Sequence, residues 1–556
     1  MNKKVWIAVS VALSASLVGA ITLLPSTLNQ KAYNPDDDYG DVTDVAKDKE
    51  HIERPISVDE TVILSNVALS KTANINNIQL MDKPTLSGGI APTTDTSIKD
   101  NSVKRVADNP ISTFSADADD GSYKLFKANL NKGLVVEKDL IRVEEFINAF
   151  DYKYPKPSDS AMPFSTSISV SPSPWSDNYL LRVGIKGYEH SLEELPPTNL
   201  TFLVDVSGSM KNNMPIIKSG LKMLVGKLRP SDRVSIVTYA GETKVALPNT
   251  KVSDMEVIKD AIDSMSSGGS TNGQSGIDMA YKENEKNTID KGINRVILMS
   301  DGDFNVGIKV RDDLVKFIEE KRDTGVSFST IGIGGDNFRD DAMESMANKG
   351  NGVYTFIGDA HDAREVFADR FIQTIKTIAK DVKYQVEFNP ANVKEYRLIG
   401  YENRLLNDED FKNDNVDAGE LPSGASTTAI YEITLSDQEG LHPDKRYESK
   451  KGTSDQKEKS NELAELKIAY KLPDSDYSEY VSFVIDKDLI SRKADANTVF
   501  ASHVAGFAQL LRDSKYLNKD YTYESVLKAL DEVDLDKERQ RFYHVVETAN
   551  VIISNK

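Results

Sequence analysis

The spacing of apolar positions changes several times along this chain and divides it into segments. Lys3 and Lys4 precede an uncharged, apolar-biased run from Val5 to Leu24, whereas residues 31–108 show no sustained apolar period. Stretches such as NPDDDYGD and AKDKEHIERP bury too little surface to offset the entropy of ordering. Residues 31–108 therefore read as a disordered linker, with at most a short ordered turn near Val62 to Leu69. A globular texture begins at residue 109. Leu140, Val143, Phe146, Ile147 and Phe150 recur at helical spacing and predict an amphipathic helix stopped by Pro155. FSTSISVSP and NYLLRVGIKG then alternate as strands do, completing a flanking domain over residues 109–197. Asp117, Asp119 and Asp120 lie in an acidic loop that resembles a cation site but reads as a solvated turn at Gly121.

From 198 to 380 the pattern becomes strand, helix, strand, helix. The apolar runs TFLVD, VSIVTYA, NRVILMS, VSFSTIGIG and GVYTF are separated by helical periods. The first helix places Ile217, Leu221, Leu224 and Leu228 on one face, and the last covers Ala363 to Ala379. Such alternation predicts an α/β fold, a doubly wound and mainly parallel sheet of Rossmann-like type covered on both sides. Residues 381–556 read as a strand-rich region followed by helices. YQVEFN, YRLIGY, TAIYEITLS, ELAELKIAYKL and YVSFVID are its strands, with an exposed polar loop from Leu441 to Ser460. Val504, Phe507, Leu510 and Leu511 mark one closing helix, and Phe542 to Ile552 another. Because strands flank the α/β segment on both sides, a β-sandwich-like unit with that segment inserted is expected.

Candidate chemistry sits where apolar runs stop. TFLVDVSGSM ends in Asp205, Ser207 and Ser209; a strand run read through Val245 to Met265 is followed by GGSTN with Thr271; and NRVILMS runs into DGD with Asp301. In an open α/β sheet the carboxyl ends of the strands share one edge, and ligands gather in the crevice there. Carboxylates and hydroxyls suit a hard cation, which favours Mg²⁺ over zinc or iron, with Mn²⁺ and Ca²⁺ as alternatives. Gly268 and Gly269 provide backbone freedom beside Thr271. A purely structural alternative exists, since Asp205 or Ser207 can cap a helix starting near Lys211. Asp301, Asp303, Asn305 and Asp312 also imitate an EF-hand loop, but Val306 stands where that loop needs Gly, and a strand precedes it instead of a helix.

The DxSxS pattern, the later Thr and the Asp-Gly pair resemble the metal-ion-dependent adhesion site (MIDAS) of the von Willebrand factor A domain. VSIVTYAG, STNGQSGI and MSDGDFNVG are similar to its bacterial exported branch, the YfbK-like proteins, over roughly residues 105–550. The resemblance implies that Asp205, Ser207, Ser209, Thr271 and Asp301 are metal ligands, some through water. It also implies that an Asp or Glu of a protein partner completes the coordination, and that the last helix of the domain can shift when the site is filled.

Composition narrows the remaining classes. The chain has 556 residues and a formal charge of −19, with no basic stripe, so nucleic acid is not an expected partner. Cysteine is absent, which removes disulfides, thiolate nucleophiles and thiolate metal sites. The run from Val5 to Leu24, with Val18 and Ala20 as a small-residue cleavage pair, reads as a signal peptide within residues 1–30. An uncleaved membrane anchor is the alternative. Either way the chain is expected to be exported, to the periplasm, cell envelope or cell surface. No GxxxxGK[ST], HExxH or GxSxG is present, and the six histidines lie without ligand spacing. The chain is therefore not expected to be an enzyme. The expected function is metal-dependent binding of a protein partner. A scaffold or assembly factor of an envelope complex with a structural metal is the alternative. Metal-assisted hydrolysis is a weaker third reading, with only Asp303 as a base.

Overall fold

The computed structural model describes residues 98–158, 162–269, 273–302, 311–334, 340–443 and 461–554. The leader, the turn expected near Val62 and most of the expected linker lie outside them. Ordered chain reaches back to Ile98, before the boundary expected at 108: Asn101 Nδ2 donates to the carbonyls of Leu398 (3.1 Å) and Gly400 (2.8 Å). Two strands, β1 (Lys104–Arg105) and β2 (Ile111–Ser115), lead into helix α1 (Gly121–Leu130) and a short helix α2 (Val143–Asn148). The amphipathic helix expected around residues 140–150 is thus shorter than its apolar period, and every residue of α2 is buried, including Glu144 and Glu145. Strands β3 (Phe164–Pro172) and β4 (Tyr179–Gly187) follow.

The α/β segment contributes β5 (Thr198–Asp205), α3 (Met214–Val225), β6 (Arg233–Tyr239), β7 (Thr243–Lys251), α4 (Met255–Ser264), α5 (Gly273–Glu285) and β8 (Ile293–Ser300). It continues through α6 (Arg311–Arg322), β9 (Ser327–Ile333), α7 (Asp340–Lys349), β10 (Tyr354–Ile357) and α8 (Ala360–Arg364). The sheet order is β10-β9-β8-β5-β6-β7, parallel throughout except for β7, which pairs antiparallel with β6 at the edge. Pro248 in β7 is compatible only with such an edge position. β5 and β8 are buried along their whole length, as strands covered on both faces must be. Phe202 and Val204 join the apolar cluster that holds Ile217, Leu221 and Ile258, while Leu203 joins Ile277, Leu314 and Met343 on the opposite face.

After α8 the chain forms a π-helical turn over Glu365–Asp369 and one more short helix, α9 (Phe371–Ile375). A long strand, β11 (Thr377–Phe388), begins where the helix was expected to continue to Ala379. Pairing decides the boundary: Thr377 and Ala379 are held against a later segment, β14 (Gly419–Pro422). Between them lie β12 (Val393–Ile399) and β13 (Leu405–Leu406). Then come β15 (Ser426–Leu435), β16 (Glu462–Lys471) and β17 (Glu479–Asp486). Helices α10 (Ala496–Arg512), α11 (Tyr523–Leu530) and α12 (Lys537–Ser554) end the described chain.

These strands make two antiparallel sheets, β1-β12-β15-β4-β3 and β13-β2-β11-β16-β17, with β14 attached to β11. Leu181, Val183 and Ile433 of the first sheet and Tyr384, Val386, Leu466 and Ile468 of the second share one apolar core, which is a β-sandwich. β2 pairs with β11 and β4 with β15, so each sheet combines strands from before and after the α/β segment. Residues 109–197 and 381–556 are thus one interleaved unit with the α/β segment inserted. Helices α1, α2 and α10 to α12 pack together on the outside of the first sheet, around Phe126, Phe146, Phe507 and Phe542.

The acidic loop is not a solvated turn. Asp117, Asp119 and Asp120 are all buried, and Gly121 opens a helix. Arg404 Nη2 lies 3.4 Å from Asp117, 3.2 Å from Asp119 and 3.1 Å from Glu344 of α7, while Lys124 pairs with Asp120 at 2.8 Å and with Glu365 at 3.4 Å. This ionic layer joins the sandwich to the α/β segment.

Candidate metal centre

Asp205 is the last residue of β5 and Ser300 the last of β8, and the two strands are parallel neighbours with Val204 opposite Met299. Sheet order reverses at β5, so both residues stand at the carboxyl edge of the switch point, where α/β sheets bind ligands. Asp205 is fully buried. Its Oδ1 accepts from the Ser207 backbone N–H at 2.8 Å, and its Oδ2 accepts from Ser300 Oγ at 3.0 Å. Ser207 is buried and its Oγ lies 3.1 Å from that of Ser209, which is exposed. Asp301 follows directly and is buried. Ser300 had not been singled out in the sequence. Its role follows from the β5–β8 register, which only the strand order reveals.

A second loop is stitched to the first. Gly268 N–H donates to the Val206 carbonyl at 2.7 Å, and Gly208 N–H to the Gly269 carbonyl at 3.2 Å. Gly269 has φ of +89° and a side chain there would sit 3.1 Å from the Gly241 nitrogen, so this position does require glycine. Gly268 has open space around it and no such conformation, contrary to expectation. Thr271 lies outside the described residues, as do Asp303 and Asn305 of the EF-hand alternative. Asp205, Ser207, Ser209 and Asp301 are brought to one strand edge, and the loop through Gly268 and Gly269 is bonded to that edge.

The electrostatics favour a cation. Among the described residues no Lys or Arg pairs with Asp205. Burial pushes its carboxyl up to about 6, against the lowering effect of its bonds from Ser207, and the charge of Asp301 adds to the rise. A buried carboxylate held by neutral hydroxyls beside a second carboxylate is short of positive charge, and its donor set is all oxygen. The residues present therefore fit a hard divalent ion. A structural cap does not account for them, because the Ser207 side chain makes no capping hydrogen bond to the helical turn Gly208–Asn212.

One further acidic group already holds a cation. Carboxylate and ring atoms of Asp359, His361 and Asp362 lie within 4.8 Å of one another, a grouping not expected for His361. Lys127 Nζ occupies that position, 3.5 Å from Asp359 and 2.5 Å from Asp362.

A doubly wound sheet with DxSxS at the end of its central strand and an Asp on the neighbouring strand end defines a von Willebrand factor type A domain, and that family model matches residues 199–369. Domains of this type typically serve protein–protein interaction and adhesion, and often bind a divalent metal. The model "von Willebrand factor" matches residues 93–182, and "Uncharacterized protein YfbK, C-terminal" matches 373–552. The chain is 43% identical over 430 residues to YfbK of Escherichia coli (strain K12), covering 75% of this chain and 74% of that protein, and it belongs to the YfbK family. Among solved structures, a von Willebrand factor type A protein from Catenulispora acidiphila is similar over 65% of this chain and 81% of its own, at 15% identity and a TM-score of 0.36. Proximal thread matrix protein 1 of the mussel byssus, with zinc occupied MIDAS motif, is similar over 31% and 46% at 21% identity and a TM-score of 0.27. None of these names carries a catalytic activity.

Proposed function

We propose that this chain is an exported binding protein that captures an acidic side chain of a protein partner in a Mg²⁺-dependent way. The observation that carries the reading is Asp205: a carboxylate with no exposure and no cationic partner among the described residues, set at the switch point with Ser207, Ser209 and Asp301. Asp205, Ser207, Ser209, Thr271 and Asp301 would hold the ion, directly or through water. A Mg²⁺ ion there supplies positive charge that attracts one more anionic oxygen, and an Asp or Glu from the partner provides it. Without the ion, the two carboxylates repel an acidic group. The chain's own residues only position: Ser300 and the Ser207 backbone fix the Asp205 carboxylate, and the two stitched loops fix the hydroxyls.

Lys3, Lys4 and the uncharged run that follows them support export of the binding head to the periplasm or the cell envelope. The test is capture of protein from an envelope extract by the full chain in Mg²⁺ and in EDTA. The reading requires a band that elutes with EDTA and is missing with Asp205→Ala. A band that Asp205→Ala retains equally in EDTA would remove it.

A further inference from the structure

We propose that the outer edge of β17 is a self-association surface, on which a second copy of this chain lays its own β17 antiparallel and centred on Ser482. The surface belongs to the sandwich and not to the α/β segment that carries the metal centre.

An open strand edge invites another strand, and folded proteins blunt such edges with proline, lysine, bulges, short strands or a covering segment. Among the described residues, five of the six outer strands of the three sheets are blunted in one of these ways. β1 and β13 have two residues each. β7 carries Pro248, Lys244 and breaks of register. β10 has four residues, and its Tyr354 N–H donates to Asp119 Oδ1 at 3.1 Å. β3 is bridged by Ile490, and its Val170 carbonyl accepts from the Ser491 N–H at 2.8 Å. β17 has none of these guards. It is eight residues long, holds no proline or lysine, and keeps one register with β16 from Glu479 to Ile485. Among the described residues no strand pairs with its other side.

Hydrogen-bond parity fixes which groups that edge offers. In an antiparallel ladder the backbone groups of alternate residues turn to opposite sides. Phe388 N–H donates to the Pro110 carbonyl on the β2 side at 2.8 Å, so Glu387 and Gln385 turn to β16, where they pair with Glu465 and Lys467. Leu466 and Ile468 then turn to β17 and meet Phe483 and Val481. The other end agrees, since Lys487 N–H donates to the Asn461 carbonyl at 2.8 Å. The N–H and C=O groups of Tyr480, Ser482 and Val484 therefore point outward, and the side chains of Tyr480 and Val484 are exposed as well.

Self-complementarity selects a second copy as the occupant. With a two-fold axis at Ser482, the two Ser482 residues exchange a pair of backbone hydrogen bonds, and Tyr480 of each copy stands opposite Val484 of the other. That is a favourable aromatic and β-branched pair, made twice. Val481 falls opposite Phe483, Glu479 opposite Ile485 and Asp486 opposite Ser478, so no like charges face each other. Moving the pairing to the next register of the same parity sets Tyr480 against Ser482 or against Asp486 and loses the match.

Sedimentation velocity of the full chain up to ~100 μM, a range that reaches interfaces below standard size, is expected to show a concentration-dependent dimer. Ser482→Pro removes an outward N–H and no bond to β16, and Val484→Lys sets a charge on the edge. Each is expected to raise the dissociation constant about tenfold or more, for Ser482→Pro through two lost hydrogen bonds. A monomer over the whole range would overturn the proposal. Association that survives both substitutions would also overturn it, because the N-terminal run is common to all three chains. The register has its own test, since the chain has no cysteine. Directly opposed Ser482 residues would have Cα atoms ~5.5 Å apart, within disulfide reach. Ser482→Cys is expected to give a disulfide-linked dimer on a non-reducing gel after mild oxidation, and Glu479→Cys is not. No link at position 482, or equal linking at both positions, would overturn the proposal.

Discussion

Replacing Arg404 by Ala removes the only cation within ion-pair distance of Asp117 and Asp119 among the pairs described, and one of two that reach Glu344. All three carboxylates are buried, so the variant leaves uncompensated charge at the junction of sandwich and α/β segment. Breaking a buried pair by deleting one partner costs ~3–5 kcal/mol, and three facing acids put Arg404 at the upper end. The loss at pH 7 should lower the urea midpoint by ~1 M or more, given slopes of a few kcal/mol/M. Acidity supplies an independent check. Burial already raises the carboxyls of Asp117 and Asp119 above the usual 3.8, and removing Arg404, which lowers both, raises them further. A folded-state pKa above the unfolded value means the native state binds more protons, so stability is greatest below the unfolded pKa and falls as pH rises toward the folded one. The Arg404→Ala penalty should therefore shrink as the pH is brought down toward 4. Arg404→Lys should fall between the two, keeping charge but losing the planar fork. Urea unfolding followed by far-UV circular dichroism at pH 4.5, 6 and 7.5 reads these differences. A penalty under ~0.5 kcal/mol at pH 7.5, as for an ordinary surface change, would refute the reasoning. A penalty that grows on acidification would do the same.

Two other outcomes are expected. Glu144, buried with its Oε2 accepting from the Tyr401 N–H at 2.8 Å, has its carboxyl pushed up to about 8, mainly by burial and then by Glu402. Its contribution to stability declines from the usual 4.5 upward through about 8, so Glu144→Gln should raise the melting temperature at pH 9 relative to wild type and change it little at pH 5; an equal effect at both would contradict the assignment. Gly419→Ala puts a methyl 1.9 Å from the Ala116 carbonyl oxygen, a backbone atom that cannot swing away. Chemical denaturation should show a loss of ~1–3 kcal/mol or more from overpacking, and an unchanged midpoint would show that β14 is free to move.

How much was legible depended on whether a residue's role was local. The five parallel strands and the long strands of the sandwich announced themselves as apolar or alternating runs, and Asp205, Ser207, Ser209 and Asp301 stood out because apolar runs ended on them. The run from Val245 to Met265, read as one strand, is instead the edge strand β7 up to Lys251 followed by helix α4, because an edge strand with exposed positions and a proline carries too little pattern to mark its end. Helix α1 was missed because buried Lys124 and half-buried Lys127 interrupt its apolar period, whereas Glu365 and Asp362 neutralise them from far along the chain and Asp120 from one turn before. The same partners explain the buried aspartates. A charge looks like surface until the distant group that pairs with it is placed, and no local period encodes that distance. The π-helical turn at Glu365–Asp369 and the early start of β11 are likewise set by tertiary pairing.

The central claim is that the Asp205 edge is built around a divalent cation, and thermal unfolding of the full chain under MgCl₂ titration addresses it most directly. Wild type should show a rise in its unfolding midpoint that grows with the logarithm of free Mg²⁺, reaching ~2.7 kcal/mol of added stability at a hundredfold excess over the dissociation constant. EDTA should reverse the rise, and Asp205→Ala should abolish it. A flat wild-type titration, or a rise of the same size in Asp205→Ala, would contradict the account.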